Sequence, residues 1–217
     1  MSVRVLVVDD DALVRAGLTL ILGGAADLEV VGECPDGREA VAAVRSGGVD
    51  LVLMDIRMPV LDGISATGQI RGLTDPPHVI VLTTFDADDL VVRALAAGAS
   101  GFLLKDTPPA EIISAIHRVV DGEPALSPTV TAQLIRQVTD AAPTEDSTAA
   151  RARIDLLTER EIEVAVAIGR GRSNAEIAAD LHMSLATAKA HISHIFSKLD
   201  VTNRVQVAIA MHEADLL

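Results

Sequence analysis

The chain has 217 residues, 49% hydrophobic and 23% charged, with a net charge of −13, so one large or two small packed domains are expected and global disorder is not. Its longest charge-free run, residues 124–135, is 12 residues long, short of the roughly 18 that a membrane helix needs. With one cysteine (Cys34), no Tyr and no Trp, a disulfide framework, a thiolate zinc cluster and an aromatic base-stacking platform are excluded.

Residues 3–8 form a β-branched apolar run that ends in Asp9, Asp10 and Asp11. These acids interrupt any secretory apolar segment, so no signal peptide is readable and a cytoplasmic protein is expected. Residues 28–33, 50–54, 78–83 and 101–104 are four further short apolar runs. Near-continuous apolarity points to strands buried on both faces, as in a parallel sheet. Helical patterns lie between them. Leu13, Ala16, Gly17, Leu20 and Ile21 fall at i, i+3, i+4, i+7 and i+8, and residues 38–45, 64–70, 88–97 and 109–120 are also helix-like. The alternation predicts an α/β doubly wound, five-stranded parallel sheet over residues 1–125.

Ser127-Pro128 predicts the start of another helix, with Val130, Leu134 and Val138 on one face. Residues 139–152 are polar and without periodicity, and read as a flexible linker; residues 126–152 thus form a helix and linker. Residues 153–217 predict a second, all-α domain. Thr158–Glu161 and Ser173–Glu176 have the spacing of capping boxes, and Gly169 and Gly171 end the first helix between them. Ser184 is expected to cap a third helix with the apolar stripe Ala188, Ile192, Ile195, Phe196 and Leu199, and Thr202 to cap a fourth. Two short helices, a turn at His182-Met183 and a longer helix have helix-turn-helix proportions. The acid is concentrated at the front: residues 1–125 carry a net −10 and residues 153–217 a net −2.

In a doubly wound sheet, ligands sit beyond the carboxyl ends of the strands. Those ends carry Asp9 and Asp10, Asp55, Thr83 and Lys105. Converging carboxylates favour a hard divalent cation, and Mg²⁺ fits because it accepts few carboxylates and keeps waters. Lys105 supplies a mobile charge suited to phosphate and Thr83 a hydroxyl donor. Together they form a site for phosphoryl transfer to a carboxylate. An aspartate ending a strand is more often a turn or cap, and Lys105 alone would be a surface charge. It is the five together that make the bland reading improbable.

Val7-Val8-Asp9-Asp10, Met54-Asp55-Ile56-Arg57-Met58-Pro59, Leu61-Asp62-Gly63, Thr83 and Gly101-Phe102-Leu103-Leu104-Lys105-Asp106 resemble the flavodoxin-like receiver domain of two-component response regulators. Leu157-Thr158-Glu159-Arg160-Glu161, residues 172–178, Lys189-Ala190-His191 and Lys198-Leu199 resemble the LuxR-type helix-turn-helix. The order of the two motif sets is similar to that of the NarL/FixJ family. The resemblance implies that Asp55 is the phosphoacceptor. It implies Mg²⁺ held directly by Asp10 and Asp55, by Asp9 largely through water, and by the main-chain carbonyl of Arg57. Thr83 would hydrogen-bond the phosphoryl group, Lys105 would pair with it, and Phe102 would be the aromatic switch. Phe102 also has a simpler reading as core packing. Asp11 departs from the usual pattern and adds charge near the metal, and Ala188 stands where the family usually has Val.

The expected DNA-reading face of the longer helix carries Ala186, Thr187, Ala190, Ser193, His194 and Ser197, with Lys189 on its flank. It holds no Arg, Asn or Gln, the side chains best suited to bidentate base readout. Thr187, Lys189, Ala190, Ser193, His194 and Lys198 are the candidate DNA-binding residues. Lys198, Arg204, Arg170 and Arg172 are candidates for phosphate contacts. Val201, Val205 and Ile209 read as a dimer seam or as core.

The function expected is a transcription regulator, not an enzyme beyond slow self-dephosphorylation. A sensor histidine kinase would phosphorylate Asp55 and so switch dimerisation and binding of double-stranded promoter DNA. A homodimer on activation is expected, with RNA polymerase as a further contact and no membrane. One alternative keeps DNA binding with an unused pocket. Another is a haloacid-dehalogenase-like phosphatase using the Asp9-x-Asp11 spacing, which leaves Asp55 and the C-terminal module unexplained.

Overall fold

The computed structural model describes residues 2–84, 88–126, 151, 153–214 and 216–217. The helix expected after Ser127 and nearly all of the 139–152 linker lie outside them. The chain divides into two compact units.

The first unit alternates β1 (Val3–Val8), α1 (Ala12–Leu22), β2 (Leu28–Cys34), α2 (Gly37–Arg45), β3 (Leu51–Asp55), α3 (Gly63–Arg71), β4 (His78–Thr83), α4 (Asp88–Ala96), β5 (Gly101–Leu104) and α5 (Pro109–Val120). All five expected strands form and all pair in parallel. A two-residue strand, β6 (Ala125–Leu126), adds to the edge beside β5, so the order is β2-β1-β3-β4-β5-β6. The order reverses between β1 and β3, which opens a crevice at their carboxyl ends.

Successive strand residues face opposite sides. Val5, Val7, Leu51, Leu53, Ile80, Leu82 and Leu103 pack with Leu18 and Leu22 of α1 and with Ile112, Ile116 and Val119 of α5. The alternate residues Leu6, Val8, Val52, Met54, Val79, Val81 and Phe102 are buried too. Burial on both faces, at roughly 1.5–3 kcal/mol for each large aliphatic side chain, is why these segments read as unbroken apolar runs.

In α1 the periodicity predicts the element but not its buried face. The helix forms, but the stripe that predicted it is largely on the outside: Leu13 is 83% and Leu20 80% exposed, and Ala16 and Gly17 are exposed beside them. The inward face is Leu18 and Leu22, with Val14 half-buried against the core. Leucines stand on both sides of this helix, so periodicity fixes its type and leaves its face open.

The second unit contains α6 (Glu159–Gly169), α7 (Asn174–Asp180), α8 (Leu185–Leu199) and α9 (Arg204–Glu213) among the described residues. Thr158 with Glu161 and Ser173 with Glu176 form the two capping boxes, and Ser184 caps α8 by accepting from the Thr187 amide. The cap of α9 is Asn203 and not Thr202: Asn203 Oδ1 accepts from the Gln206 amide at 2.9 Å, while the Thr202 amide donates back to Gln206 Oε1 at 2.7 Å. An amide side chain one residue later reaches the first-turn donors, and asparagine is at least as good a cap as threonine. The core is Val164, Ile168, Ile177, Ala188, Ile192, Ile195, Leu199, Val207 and Met211.

Candidate functional site: the acidic pocket and the exposed face of α8

Asp9 follows β1, Asp55 and Thr83 are the last residues of β3 and β4, and Lys105 follows β5. Parallel pairing in register carries these ends to one side; the Lys105 amide donates to the Thr83 carbonyl at 2.8 Å. Lys105 Nζ bridges two acids, 2.6 Å from Asp9 Oδ2 and 3.1 Å from Asp55 Oδ1. Asp9 is fully buried and Asp55 is 5% exposed, whereas Asp10 is exposed. One carboxylate oxygen from each of Asp9, Asp10 and Asp55 lies within 4.8 Å of the others.

The loop after β3 is held close to Asp55. The Gly63 amide donates to the Ile56 carbonyl at 2.9 Å, and Asp62 caps α3 by accepting from the Ile64 and Ser65 amides. Arg57 is exposed at the start of this loop.

The electrostatics follow from burial. Desolvation pushes the Asp55 carboxyl above the ordinary aspartate range; Lys105 pulls it back and Asp9 adds to the rise. Burial draws the Lys105 ammonium down, but its two carboxylates outweigh that and the net shift is upward. Asp9 Oδ1 accepts from the Asp11 amide at 3.0 Å. Asp9 Oδ2 is buried and has no well-angled hydrogen bond, only the ammonium beside it. A buried carboxylate oxygen with one ammonium as its partner, facing two more carboxylates, suits a hard oxygen-seeking cation.

Thr83 is buried, and its hydroxyl donates to the Thr84 carbonyl at 3.0 Å instead of to the acids. Phe102 is 1% exposed and packs in the sheet with Val81 as its β4 partner. Asp11 caps α1 through the Leu13 amide at 2.8 Å. One oxygen of its carboxylate is thus engaged at the helix start.

In the helical unit, α8 buries Ala188, Ile192, Ile195 and Leu199 and exposes Ala186, Thr187, Ala190, Ser193, His194 and Ser197. Lys189 and His191 are half-buried at the flank. The Ser193 hydroxyl donates to the Lys189 carbonyl at 3.1 Å.

The profile of the response regulator receiver domain matches residues 5–117. The chain belongs to the response regulators. The profile of the luxR family of bacterial regulatory proteins matches residues 155–211. This response regulator is 40% identical over 220 residues to the transcriptional regulatory protein LiaR of Bacillus subtilis, covering 99% of each chain. It is 37% identical over 218 residues to the response regulator VraR of Staphylococcus aureus, covering all of both. Among solved structures, the response regulator ChrA of a heme-sensing two-component system is 36% identical, with 100% and 99% coverage and a TM-score of 0.54. The chain is thus a two-component response regulator with a receiver domain and a LuxR-type DNA-binding domain, and its close relatives regulate transcription.

Two basic residues assigned to phosphate in the regulator's DNA-binding domain turn out to have structural work. Lys198 Nζ donates to Glu161 Oε2 at 2.6 Å and ties α8 to α6. Arg204 is 7% exposed, bonds the Arg172 carbonyl, and reaches Asn174 Oδ1 at 3.4 Å. Its position is legible after the fact: residues 204, 207 and 211 share a stripe with core members Val207 and Met211. Arg172 is exposed but pairs with Glu176 and Asp180; Arg170 is exposed. Val201 packs against the helical core, while Val205 and Ile209 are half-buried outside it.

The role of Glu161 was missed. It is 4% exposed, and its Oε2 accepts from the Thr158 amide at 2.8 Å and hydroxyl at 3.0 Å as well as from Lys198. Burial pushes its carboxyl up, but Lys198 and the Thr158 donors outweigh that and bring it down to about 2. The capping-box spacing revealed half of this arrangement; the partner 37 positions away left no local trace.

Proposed function

We propose that Asp55 is the phosphoacceptor of a switch that controls promoter binding by the C-terminal domain. The observation that carries this reading is Lys105 Nζ, 2.6 Å from Asp9 and 3.1 Å from Asp55 at the carboxyl end of a parallel sheet. A carboxylate oxygen of Asp55 attacks the phosphorus of a kinase phosphohistidine; the new O–P bond forms as the P–N bond breaks, and the imidazole leaves with a proton. Lys105 can shift from its acids to the added phosphoryl oxygens. Thr83 exchanges its bond to the Thr84 carbonyl for one to the phosphoryl group. That movement frees space beside β4, where Phe102 responds.

Asp10 and Asp55 would hold Mg²⁺ directly, Asp9 largely through water and Arg57 through its main-chain carbonyl. The cation neutralises charge on the phosphoryl oxygens when bound. The same pocket supports at most slow self-dephosphorylation. The apolar stripe on α1 begins beside Asp10 and offers the kinase a surface at the pocket rim. Residues 1–125 act as the receiver, 126–152 as the connection and 153–217 as the DNA-binding domain. The active species is a cytoplasmic homodimer on double-stranded DNA, with Val205 and Ile209 as a seam and RNA polymerase as a further contact. Thr187, Lys189, Ala190, Ser193 and His194 face the groove; Lys198 supports them through Glu161.

The test is to recover and sequence DNA bound by the full chain, with and without a phosphoryl analogue. One motif should be enriched with the analogue, and Asp55→Asn should lose the dependence. Equal enrichment in both states would mean a DNA-binding protein with an idle pocket.

A further inference from the structure

A second concave site lies on the receiver away from Asp9 and Lys105. It is a cleft of about 300 Å³ between α2 and α3, lined by Arg38, Val41, Arg45, Val60, Leu61 and Gln69 among others. In a half of the chain with net charge −10, two cations on one wall are unusual. Arg4 and Arg15 are matched to Asp50 and Glu33, but neither Arg38 nor Arg45 makes an ion pair among the described residues. Both are exposed. They are seven residues apart on α2, about 10 Å along the helix axis, with Ala42 between them on the cleft wall.

The opposite wall is strained. Val60 has φ 68°, a conformation that β-branched residues rarely adopt. The Leu61 amide donates to the Pro59 carbonyl at 2.7 Å, closing a three-residue turn about it. The turn gains no packing from the Val60 side chain, which is 64% exposed. It is nonetheless fixed from both sides. The Gly37 amide donates to the Leu61 carbonyl at 3.1 Å, and a β-carbon at 37 would fall 2.6 Å from that oxygen. At the other end Gly63 is bonded to Ile56, next to Asp55. Strain that packing does not use is found at binding and switch segments.

The geometry points to a docking site for an extended acidic peptide of a partner protein, with two carboxylates four residues apart on one face of the strand and an apolar side chain midway between them. At about 3.3 Å per residue, that spacing is about 13 Å, within reach of two long, flexible arginine side chains anchored about 10 Å apart. Each can take a carboxylate through paired N–H donors, while the apolar side chain meets Val60 and Leu61. The cleft shares the 56–62 loop with the acceptor, so occupancy is felt at Asp55. Complementarity of charge chooses this occupant: a basic or neutral segment leaves both arginines unmatched.

A display library of random twelve-residue peptides, panned on the full chain, tests this. Enriched peptides should carry two acidic residues flanking an apolar one. Their affinity should fall at least tenfold for Arg38→Ala/Arg45→Ala and about threefold for Val60→Asn, while labelling of unliganded Asp55 by a small phosphodonor stays unchanged. Saturating wild type with the best peptide should change the labelling rate at least twofold. Peptides without acidic residues, or equal binding by the double variant, would overturn the site. Binding by free citrate as tight as by the peptides would make it a small-anion site. An unaltered labelling rate would overturn the link to Asp55.

Discussion

Gly63 lies against the backbone of Asp55: a β-carbon at position 63 would fall 1.8 Å from the Asp55 carbonyl oxygen and 2.8 Å from its carbonyl carbon. The two residues are eight apart in sequence, and the loop between them folds back so that α3 starts against the end of β3. Both contacts are backbone, so no flexible side chain can give way. Gly63→Ala should push the acceptor out of register with Lys105. The expected cost is roughly 1–3 kcal/mol of receiver stability, with slower labelling of Asp55. Circular dichroism melting and intact-mass labelling measure the two effects. A variant that melts and labels like wild type would show that the loop accommodates the methyl.

Among the described residues, Lys105 is the cation that forms ion pairs with both buried acids, so its removal should be felt as electrostatic repulsion. Lys105→Met leaves Asp9 and Asp55 without their ammonium. Asp55 already sits above the ordinary aspartate range because it is desolvated, and losing Lys105 raises it further. In the proposed reaction the ionised carboxylate of Asp55 is the nucleophile. Labelling by a small phosphodonor should therefore fall off on the acid side, and at a higher pH in the variant than in wild type. Addition of Mg²⁺ should raise the melting temperature of the variant more than that of wild type, because the ion then replaces a missing counter-charge. Identical Mg²⁺ shifts in the two proteins would argue against a cation beside Asp9 Oδ2.

The pocket was legible in the sequence because a parallel sheet places every strand's carboxyl end on the same side. Locating the strands therefore located Asp9, Asp55, Thr83 and Lys105 together. Resting partners were not legible: the Thr83 hydroxyl spends its donor on the adjacent Thr84 carbonyl, a choice made by side-chain rotation. The facing of α1 was not legible, because the exposed Leu13 and Leu20 carry the same periodicity as a buried face. In the helical unit, the exposed face of α8 was read correctly because its core stripe is unambiguous. The burial of Arg204 and the tie from Lys198 to Glu161 were not legible, because a charged residue alone reads as solvent-facing. Long side chains bury their stems readily, and what decides their role is a partner distant in sequence.

Glu161 should make the stability of the DNA-binding domain depend on pH. Its folded carboxyl lies at about 2 against an ordinary 4.5. A depressed acid stabilises the fold when ionised in both states. The contribution is therefore complete above about pH 5 and is lost as pH falls through the interval from 4.5 to 2. Glu161→Gln should remove most of that dependence and cost about 1–3 kcal/mol near neutrality, discounted because Lys198 is partly solvated. Melting of the full chain between pH 3 and 7 reads this as a flattened profile in the variant. A slope as steep as in wild type would assign the acid sensitivity to other carboxylates.

Lys189 should matter to DNA binding beyond its single charge. It lies in the N-terminal half of α8, flanking the exposed surface of Ala186, Thr187, Ala190, Ser193 and His194. That half of a recognition helix is the part that enters the major groove. If its ammonium reaches a base, Lys189→Ala should cost about 1–3 kcal/mol at the target and relax preference at one base pair. If it reaches only phosphate, binding should weaken about equally on all sequences and the salt slope should fall by about one. Titrations on specific and random duplexes at several salt concentrations separate the two. Lys198→Ala provides the contrast, because its ammonium is held by Glu161 at 2.6 Å. That variant should lose stability with the Glu161 link and leave base preference unchanged. A Lys189→Ala protein that matched wild type on both duplexes would mean that α8 presents another face to DNA.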